Sequence, residues 1–131
     1  MDAKRVEIRW SDVDALGHVN NAVYLTYLEE VRDEWLTGVL AGAGDPTGFV
    51  LARVAIDFRR ELVQADDLCV GTCRATRVGT SSVTTREELR RLDGELAAEA
   101  ESVLVARDGD SGRSRPLSAA ERLAFERALA A

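Results

Sequence analysis

Apolar and polar residues follow two different periods along the chain. Val6, Ile8 and Trp10 alternate with polar neighbours, which predicts a short first strand over residues 6–10. Over residues 22–40 the apolar positions recur at helical spacing instead, and this predicts a long helix. The apolar stripe is so broad that we expect the helix to be covered over much of its circumference.

The second half of the chain mostly alternates with a period of two and predicts strands joined by turns. Gly79-Thr80 is typical of a tight turn. Asp93-Gly94 is a stronger hairpin signal, and we expect a type I′ turn there, with positive φ at both residues. We therefore predict four strands in an antiparallel meander, over residues 50–58, 68–78, 81–92 and 95–107.

A polar linker over residues 108–116 leads to a second predicted helix, over residues 119–129. Ser118 and Glu121 have the spacing of a capping box, which supports a helix start at this point. One long helix packed on an antiparallel sheet is an α+β architecture. The length of 131 residues fits a single domain, which we predict over residues 1–131.

Composition and charge narrow the class of protein. The chain is 46% hydrophobic and 31% charged, as expected of a globular protein. Its net charge of -6 argues against a nucleic-acid partner. Lys4 is the only lysine, and a patch of arginines, whose guanidinium groups suit phosphates, could still hold a nucleotide. No window approaches the ~20 apolar residues of a membrane span. The N-terminus lacks a signal-peptide core. We therefore expect a cytoplasmic protein with no membrane partner.

Few residues are suited to metal or redox chemistry. Cys69 and Cys73 would lie roughly 13 Å apart on one strand, at ~3.3 Å per residue, which is too far for a disulfide. We expect them to be buried fillers. His18 is the only histidine, which excludes a histidine-based metal cluster. The glycine patterns of phosphate-binding and dinucleotide-binding loops are absent. The residues themselves therefore give no sign of a histidine-based metal cluster or of a nucleotide-binding loop.

The segment from Ser11 to Asn21 holds the strongest candidate chemistry. It leads into the N-terminus of the long helix, where unpaired N–H groups and the helix dipole would stabilise a developing oxyanion. A nearby aspartate, ionised at neutral pH, could attack a carbonyl or activate water. The same residue types are ordinary in turns and helix caps, so spacing alone leaves a purely structural role open.

The motif in this segment has a specific resemblance. Residues 9–21 read RWSDVDALGHVNN, and Tyr24-Leu25 and a Glu-x-x-Arg pattern over residues 29–32 follow on the helix. On these residues the chain resembles the hotdog-fold thioesterases of the 4-hydroxybenzoyl-CoA thioesterase type, over nearly its whole length. The resemblance implies a hotdog fold, in which a curved antiparallel sheet of about five strands wraps around a long central helix. It also implies an acyl-CoA substrate, no metal or redox cofactor, and a homodimer or homotetramer with active sites at the subunit interface.

The resemblance assigns roles by position. Asp14 takes the catalytic place, Asp12 takes a structural one, and the backbone N–H of Asn21 matches the oxyanion donor. His18 is grouped with the catalytic candidates, although a role in shaping the pocket is favoured over a general-base role. The positions expected to contact the substrate or CoA are Gly17, Asn20, Tyr24, Arg59, Arg77, Ser81 and Ser82.

Two alternatives to acyl-CoA hydrolysis stay open. The same fold could use an acyl carrier protein as the acyl donor, as some members of polyketide and fatty-acid pathways do. A non-catalytic protein that binds acyl ligands is the other alternative. The intact Asp14 and the GHVNN motif over residues 17–21 argue against a non-catalytic role.

Overall fold

The computed structural model describes residues 3–130, so the predicted domain 1–131 includes residues 1, 2 and 131, which lie outside the described part. Its helices and strands follow the predicted order of strand, long helix, four strands and a last helix. In chain order they are β1 (Lys4–Glu7), α1 (Asn21–Val39), β2 (Phe49–Phe58), β3 (Leu68–Val78), β4 (Ser82–Arg90), β5 (Leu96–Ala106) and α2 (Ala119–Ala130).

The five strands form one antiparallel, curved sheet with the order β1-β3-β4-β5-β2. The predicted four-strand meander is wrong for β2, because this strand pairs with β5 and not with β3. Hairpin turns join β3 to β4 and β4 to β5, but no short turn signal lies between Phe58 and Leu68. Tight hairpins need loops of about two to five residues. The longer segment 59–67 instead passes the ends of β5 and β4 and reaches β3.

Helix α1 packs against β1, β3 and β4 on the inner face of the sheet. Gly71 on β3 makes this close approach possible, since a Cβ at that position would lie 2.2 Å from Cγ2 of Val31. Within one chain the helix is covered on one broad face, while Leu25 remains 39% exposed. The buried residues of α1 are Tyr24, Tyr27, Leu28, Val31, Arg32, Trp35 and Leu36.

A buried ion pair lies between α1 and the sheet. Nη1 of Arg32 is 3.0 Å from Oε1 of Glu87 on β4, and the two side chains are only 5% and 0% exposed. Thr85 donates to the same carboxylate oxygen at 3.2 Å, and Ser102 accepts from Arg32 at 3.4 Å. Among residues 3–130, Oε2 of Glu87 has no hydrogen-bond partner. Arg32 therefore provides most of the compensation for the buried charge of Glu87.

The predicted ends of two elements differ from the structure. Strand β1 is shifted towards the N-terminus relative to residues 6–10, because Trp10 begins a short 3₁₀ turn and is 79% exposed. The hairpin at Asp93-Gly94 is confirmed, but its type I′ turn is wrong. Gly94 has a φ of +92°, whereas Asp93 does not have a positive φ. The carboxylate of Asp93 instead accepts from the backbone N–H of Glu95 at 2.9 Å.

The last helix and the two cysteines agree with the predictions. Ser118 and Glu121 form the expected capping box through reciprocal bonds of 2.8 and 3.1 Å. Phe125 of α2 is fully buried. Cys69 and Cys73 are both buried and unbridged. Burial raises the pKa of Cys69 to about 12 and raises that of Cys73 as well, so both remain unreactive thiols at neutral pH.

Candidate active site

Residues 13–19 fold into a tight hairpin at the end of the sheet where β2 ends and β3 begins. Val13 and Val19 form an antiparallel bridge, and Asp14 N–H donates to the His18 carbonyl at 2.8 Å. Gly17 has a φ of +81°, a conformation that glycine adopts without steric cost. Its N–H closes the turn by donating to the Asp14 carbonyl at 3.0 Å. The sequence places glycine where this hairpin needs it.

The hairpin fixes the carboxylate of Asp14 in one orientation. Oδ1 accepts from the backbone N–H of Leu16 at 2.9 Å and from that of His18 at 3.3 Å. No hydrogen bond between residues 3–130 involves Oδ2. Asp14 is also exposed, so a bound molecule can reach this carboxylate. The arrangement leaves one oriented carboxylate oxygen available for chemistry.

Asp12 has a different environment and acts as a structural clamp. Its Oδ2 accepts from the hydroxyl of Tyr27 on α1 at 2.5 Å and from the backbone N–H of Arg9 at 3.1 Å. Burial, followed by the bond to Asp12, raises the pKa of Tyr27, so the phenol stays protonated as the donor. Asp12 therefore ties the loop to the long helix.

The N-terminus of α1 provides a free backbone donor beside this hairpin. Asn20 caps the helix, and its Oδ1 accepts from Ala22 N–H at 2.9 Å. The N–H of Asn21, the first helical residue, donates to no acceptor within the described chain. Because the N-terminal end of a helix dipole carries partial positive charge, this N–H is suited to a developing oxyanion.

Residues 60–63 form the opposite wall of the site. Val19 N–H donates to the Leu62 carbonyl at 2.7 Å, and His18 forms a bridge with Val63. The hydroxyl of Tyr24 accepts from Leu62 N–H at 2.8 Å and donates to the Arg60 carbonyl at 3.3 Å. Burial raises the pKa of Tyr24, which keeps this hydroxyl neutral.

Two adjoining clefts open at this end of the molecule. The first, which we call the Asp14 cleft, has a volume of about 350 Å³. It is lined by Asp14, Leu16, His18, Val19, Asn20, Asn21, Tyr24 and Glu61. The second, the arginine cleft, has a volume of about 420 Å³. It is lined by Asn21, Tyr24, Phe58, Arg59, Arg60, Glu61 and Arg91. The two clefts share Asn21, Tyr24 and Glu61.

The predicted site residues divide into two groups. The structure brings Asp14, Gly17, His18, Asn20, Asn21 and Tyr24 together, and it places Arg59 in the adjoining arginine cleft. Arg77, Ser81 and Ser82 lie at the opposite end of the sheet, beside the turn between β3 and β4. The length of β4 separates the two ends by roughly 26 Å at ~3.3 Å per residue. Within one chain these residues cannot act on the same thioester.

Glu61, Phe58 and Arg91 line the clefts but were missed by the sequence analysis. Phe58 is 45% exposed and meets the Tyr24 ring edge-on, with 5.1 Å between ring centroids. The only local signal for a cleft at this point is that the alternation of apolar and polar residues ends at Phe58. Nothing in the local sequence distinguishes Glu61 or Arg91 from solvated charges.

Two observations concern metal binding and membrane spans, which the sequence analysis predicted to be absent. Among residues 3–130, no group of three or more His, Cys, Asp or Glu side chains could hold a metal ion. In that same part of the chain, no helix is long and apolar enough to cross a membrane.

Comparison with known proteins gives a consistent result. Residues 8–125 match the family model described as the thioesterase-like superfamily. A crystal structure of a thioesterase from Thermus thermophilus, complexed with coenzyme A and Zn, is 32% identical in sequence. The match covers 98% of this chain and 94% of that one, with a TM-score of 0.84. The neighbouring structures confirm the predicted α+β hotdog fold.

Two curated relatives match most of the chain. The long-chain acyl-CoA thioesterase FadM of Escherichia coli is 26% identical over 113 residues, which are 79% of this chain and 81% of FadM. The protein YsmA of Bacillus subtilis is 28% identical over 111 residues, which are 84% of this chain and 75% of YsmA.

Proposed function

The chain belongs to the thioesterase-like superfamily, and we propose that it hydrolyses the thioester of an acyl-CoA to a free acid and CoA. The observation that carries this proposal is that one cleft holds an oriented, accessible carboxylate and a helix N–H that has no acceptor among residues 3–130. Asp14 provides the carboxylate and Asn21 provides the N–H. We propose that residues 1–131 act as one hotdog thioesterase domain.

In the proposed reaction, the thioester carbonyl lies against the N-terminus of α1. The N–H of Asn21 stabilises the negative charge that develops on the carbonyl oxygen as the carbon is attacked. The C–S bond then breaks, and the CoA thiolate leaves and takes a proton from water. Gly17 and Asn20 keep the loop and the helix start in position, and Tyr24 forms the floor of the cleft.

Asp14 can act in two ways at this point. As a nucleophile it forms an acyl anhydride, which water then hydrolyses to the acid and a free carboxylate. As a base it accepts a proton from a water molecule, which attacks the thioester directly, and the proton then passes from Asp14 to solvent, which regenerates the carboxylate. A pre-steady-state burst of free CoA, equal in amount to the active sites, identifies the anhydride route. In either route Asp12 has a structural role, since its carboxylate is already engaged by Tyr27 and Arg9.

The relatives favour CoA over an acyl carrier protein as the acyl donor. The Thermus thermophilus thioesterase was crystallised with coenzyme A, and the Escherichia coli relative is a long-chain acyl-CoA thioesterase. Arginines are also the natural partners of CoA phosphates in this chain, which has one lysine. The alternative of non-catalytic acyl binding leaves the oriented carboxylate of Asp14 unexplained.

We propose that the working form is a homodimer or homotetramer, in which a second copy completes each site. Strand β2 lies at an edge of the sheet and exposes 44% of Leu51 and 45% of Phe58. Such an edge favours pairing with another strand, and a twofold pairing of β2 with the β2 of a second copy would satisfy it. Assembly would also allow Arg77, Ser81 and Ser82 of the second copy to approach the Asp14 cleft.

A substrate panel tests the proposed activity. We expect thiol release from one or more acyl-CoAs among short-chain, long-chain and aromatic members, followed with a thiol-reactive dye. The same acyl groups on an acyl carrier protein serve as the matched comparison. Faster release from the carrier protein would favour the alternative donor. If no thioester is hydrolysed while acyl-CoA still binds, the non-catalytic alternative is correct.

A further inference from the structure

Glu61 is the one carboxylate besides Asp14 that lines the Asp14 cleft, within the part of the chain that the structure describes. Its Oε2 lies 3.5 Å from Nε2 of His18, which is within ion-pair range. The side chain of Glu61 is 70% exposed and that of His18 is 37% exposed. The pair therefore forms the accessible wall of the cleft, opposite the start of α1.

The backbones on both sides of this pair are fixed to each other. His18 bridges Val63, and Val19 N–H donates to the Leu62 carbonyl at 2.7 Å. Leu62 N–H is held in turn by the Tyr24 hydroxyl at 2.8 Å. Water screens much of the attraction between two exposed side chains, and pairing them also costs conformational entropy when their backbones are free to move. Here the fold keeps Glu61 within reach of His18, so less conformational entropy is lost when they pair.

The arginines nearby do not compete strongly for Glu61, because each has another carboxylate partner. Arg59 lies 3.6 Å from Glu99 and 3.8 Å from Asp57. The other two arginines of the arginine cleft are similarly engaged, in the pairs Arg60–Glu95 at 3.1 Å, Arg91–Asp66 at 3.3 Å and Arg91–Glu95 at 3.7 Å. His18 is the one basic side chain within 4.0 Å of the Glu61 carboxylate among the ion pairs of residues 3–130.

His18 connects this wall to the reacting carboxylate. Its backbone N–H donates to Oδ1 of Asp14, and its carbonyl accepts from Asp14 N–H. Its imidazole, the only one in the chain, faces Glu61. Because Nε2 faces the Glu61 carboxylate, Nδ1 is the ring nitrogen left for other partners. The ring can then orient water or a polar group of the substrate in the cleft.

We propose that Glu61 is a positioning residue of this active site, which holds the imidazole of His18 in a productive orientation against the Asp14 cleft. The inference rests on the proposed thioesterase function. Glu61 itself contacts no reacting atom, and its effect on turnover passes entirely through His18. Replacing Glu61 should therefore lower kcat only when His18 is present.

The experiment is a double-mutant cycle with Glu61→Ala, His18→Ala and the double variant, assayed on the best acyl-CoA of the panel. We expect Glu61→Ala to lower kcat roughly tenfold, below the hundredfold or more of a positioned base itself, with KM changed less. In the His18→Ala background the same change should have no further effect on kcat. Glu61→Gln keeps an acceptor oxygen and should recover most of the loss.

The control variant is Glu101→Ala, which removes a half-exposed glutamate with one ion pair on the outer face of the sheet. It should keep the kcat of the unmodified protein, and thermal melts check that every variant is folded. Equal losses from Glu61→Ala in both backgrounds, a change in KM alone, or an equal loss in Glu101→Ala would each overturn the inference. Activity that survives Asp14→Asn would instead contradict the proposed function, so the two failures are distinguishable.

Discussion

Replacement of Arg32 by alanine should destabilise the fold more than the loss of any exposed ion pair. Arg32 lies 3.0 Å from Glu87, and both side chains are almost completely buried. Without Arg32, the Glu87 carboxylate keeps only the Thr85 hydroxyl as a partner on Oε1, and Oε2 already lacks one within the described residues. Removing one member of a buried pair costs about 3–5 kcal/mol, because the remaining charge is uncompensated.

Arg53 provides the matched control for this prediction. It also lies 3.0 Å from a glutamate, Glu101, but the two side chains are 57% and 49% exposed. Exposed pairs contribute about 0–1 kcal/mol, since water screens the charges. Urea unfolding of Arg32→Ala and Arg53→Ala at one protein concentration measures the difference directly. Melting temperatures should fall by roughly 10–20 °C for Arg32→Ala and by only a few degrees for Arg53→Ala.

A third variant separates the charge effect from the loss of packing. Replacement of both partners, as Arg32→Met with Glu87→Leu, removes the buried charges and keeps similar volumes. It should recover most of the stability that Arg32→Ala loses, because buried ion pairs contribute little net stability when both members are replaced. If Arg32→Ala lowers the free energy of unfolding no more than Arg53→Ala does, then Arg32 does not compensate the buried charge of Glu87.

The remaining predictions concern the start of α2 and the proposed sharing of a site between two copies. The pKa of Glu121 is lowered, chiefly by its bond to Arg115, so its stabilising effect is complete above the ordinary value of 4.5 and is lost as the pH falls below it. Urea unfolding between pH 7 and pH 3 should show this loss. The Glu121→Gln variant should be less stable at pH 7, and its stability should fall less over the same pH range. Arg77→Ala should raise KM more than it lowers kcat, whereas Arg59→Ala should have a smaller effect because Arg59 already pairs with Asp57 and Glu99. Mixed dimers of Asp14→Asn and Arg77→Ala should regain one intact site with the original KM, and an absence of recovery would contradict a site shared between two copies.

The helices and strands could be predicted from the sequence because the hydrophobic repeats that mark them span only a few residues. The alternation that ends at Phe58 and the helical spacing after Asn21 reflect which side chains face the core, so these boundaries agree with the structure to within a few residues. The capping box at Ser118 is also a local signal, carried by a few neighbouring residues. The N-cap at Asn20 is just as local but was not predicted. The loop around Asp14 was predictable for the same reason.

Pairings between segments that are distant in the chain could not be predicted from local sequence patterns. The partner of β2 depends on where segment 59–67 passes, and no local pattern encodes that path. Arg32 could have paired with Glu29 on its own helix, but it bonds Glu87 on β4 instead. Glu61 faces His18 because the backbone of the adjacent Leu62 is hydrogen-bonded to Val19 and to the Tyr24 hydroxyl. In the assembly that we propose, Arg77, Ser81 and Ser82 approach the Asp14 of a second copy, and one sequence does not describe such a contact.

We propose that Asp14 carries the chemistry while Asp12 supports the loop. The most direct measurement is turnover of the best acyl-CoA by Asp14→Asn and Asp12→Asn, together with CoA binding and thermal melts. We predict that Asp14→Asn folds, assembles and binds CoA normally but loses at least about a hundredfold in kcat. Asp12→Asn should lose much less activity and show its defect as a lower melting temperature, because its carboxylate holds Tyr27 and Arg9. Near-normal turnover in a folded Asp14→Asn variant would contradict a catalytic role for Asp14.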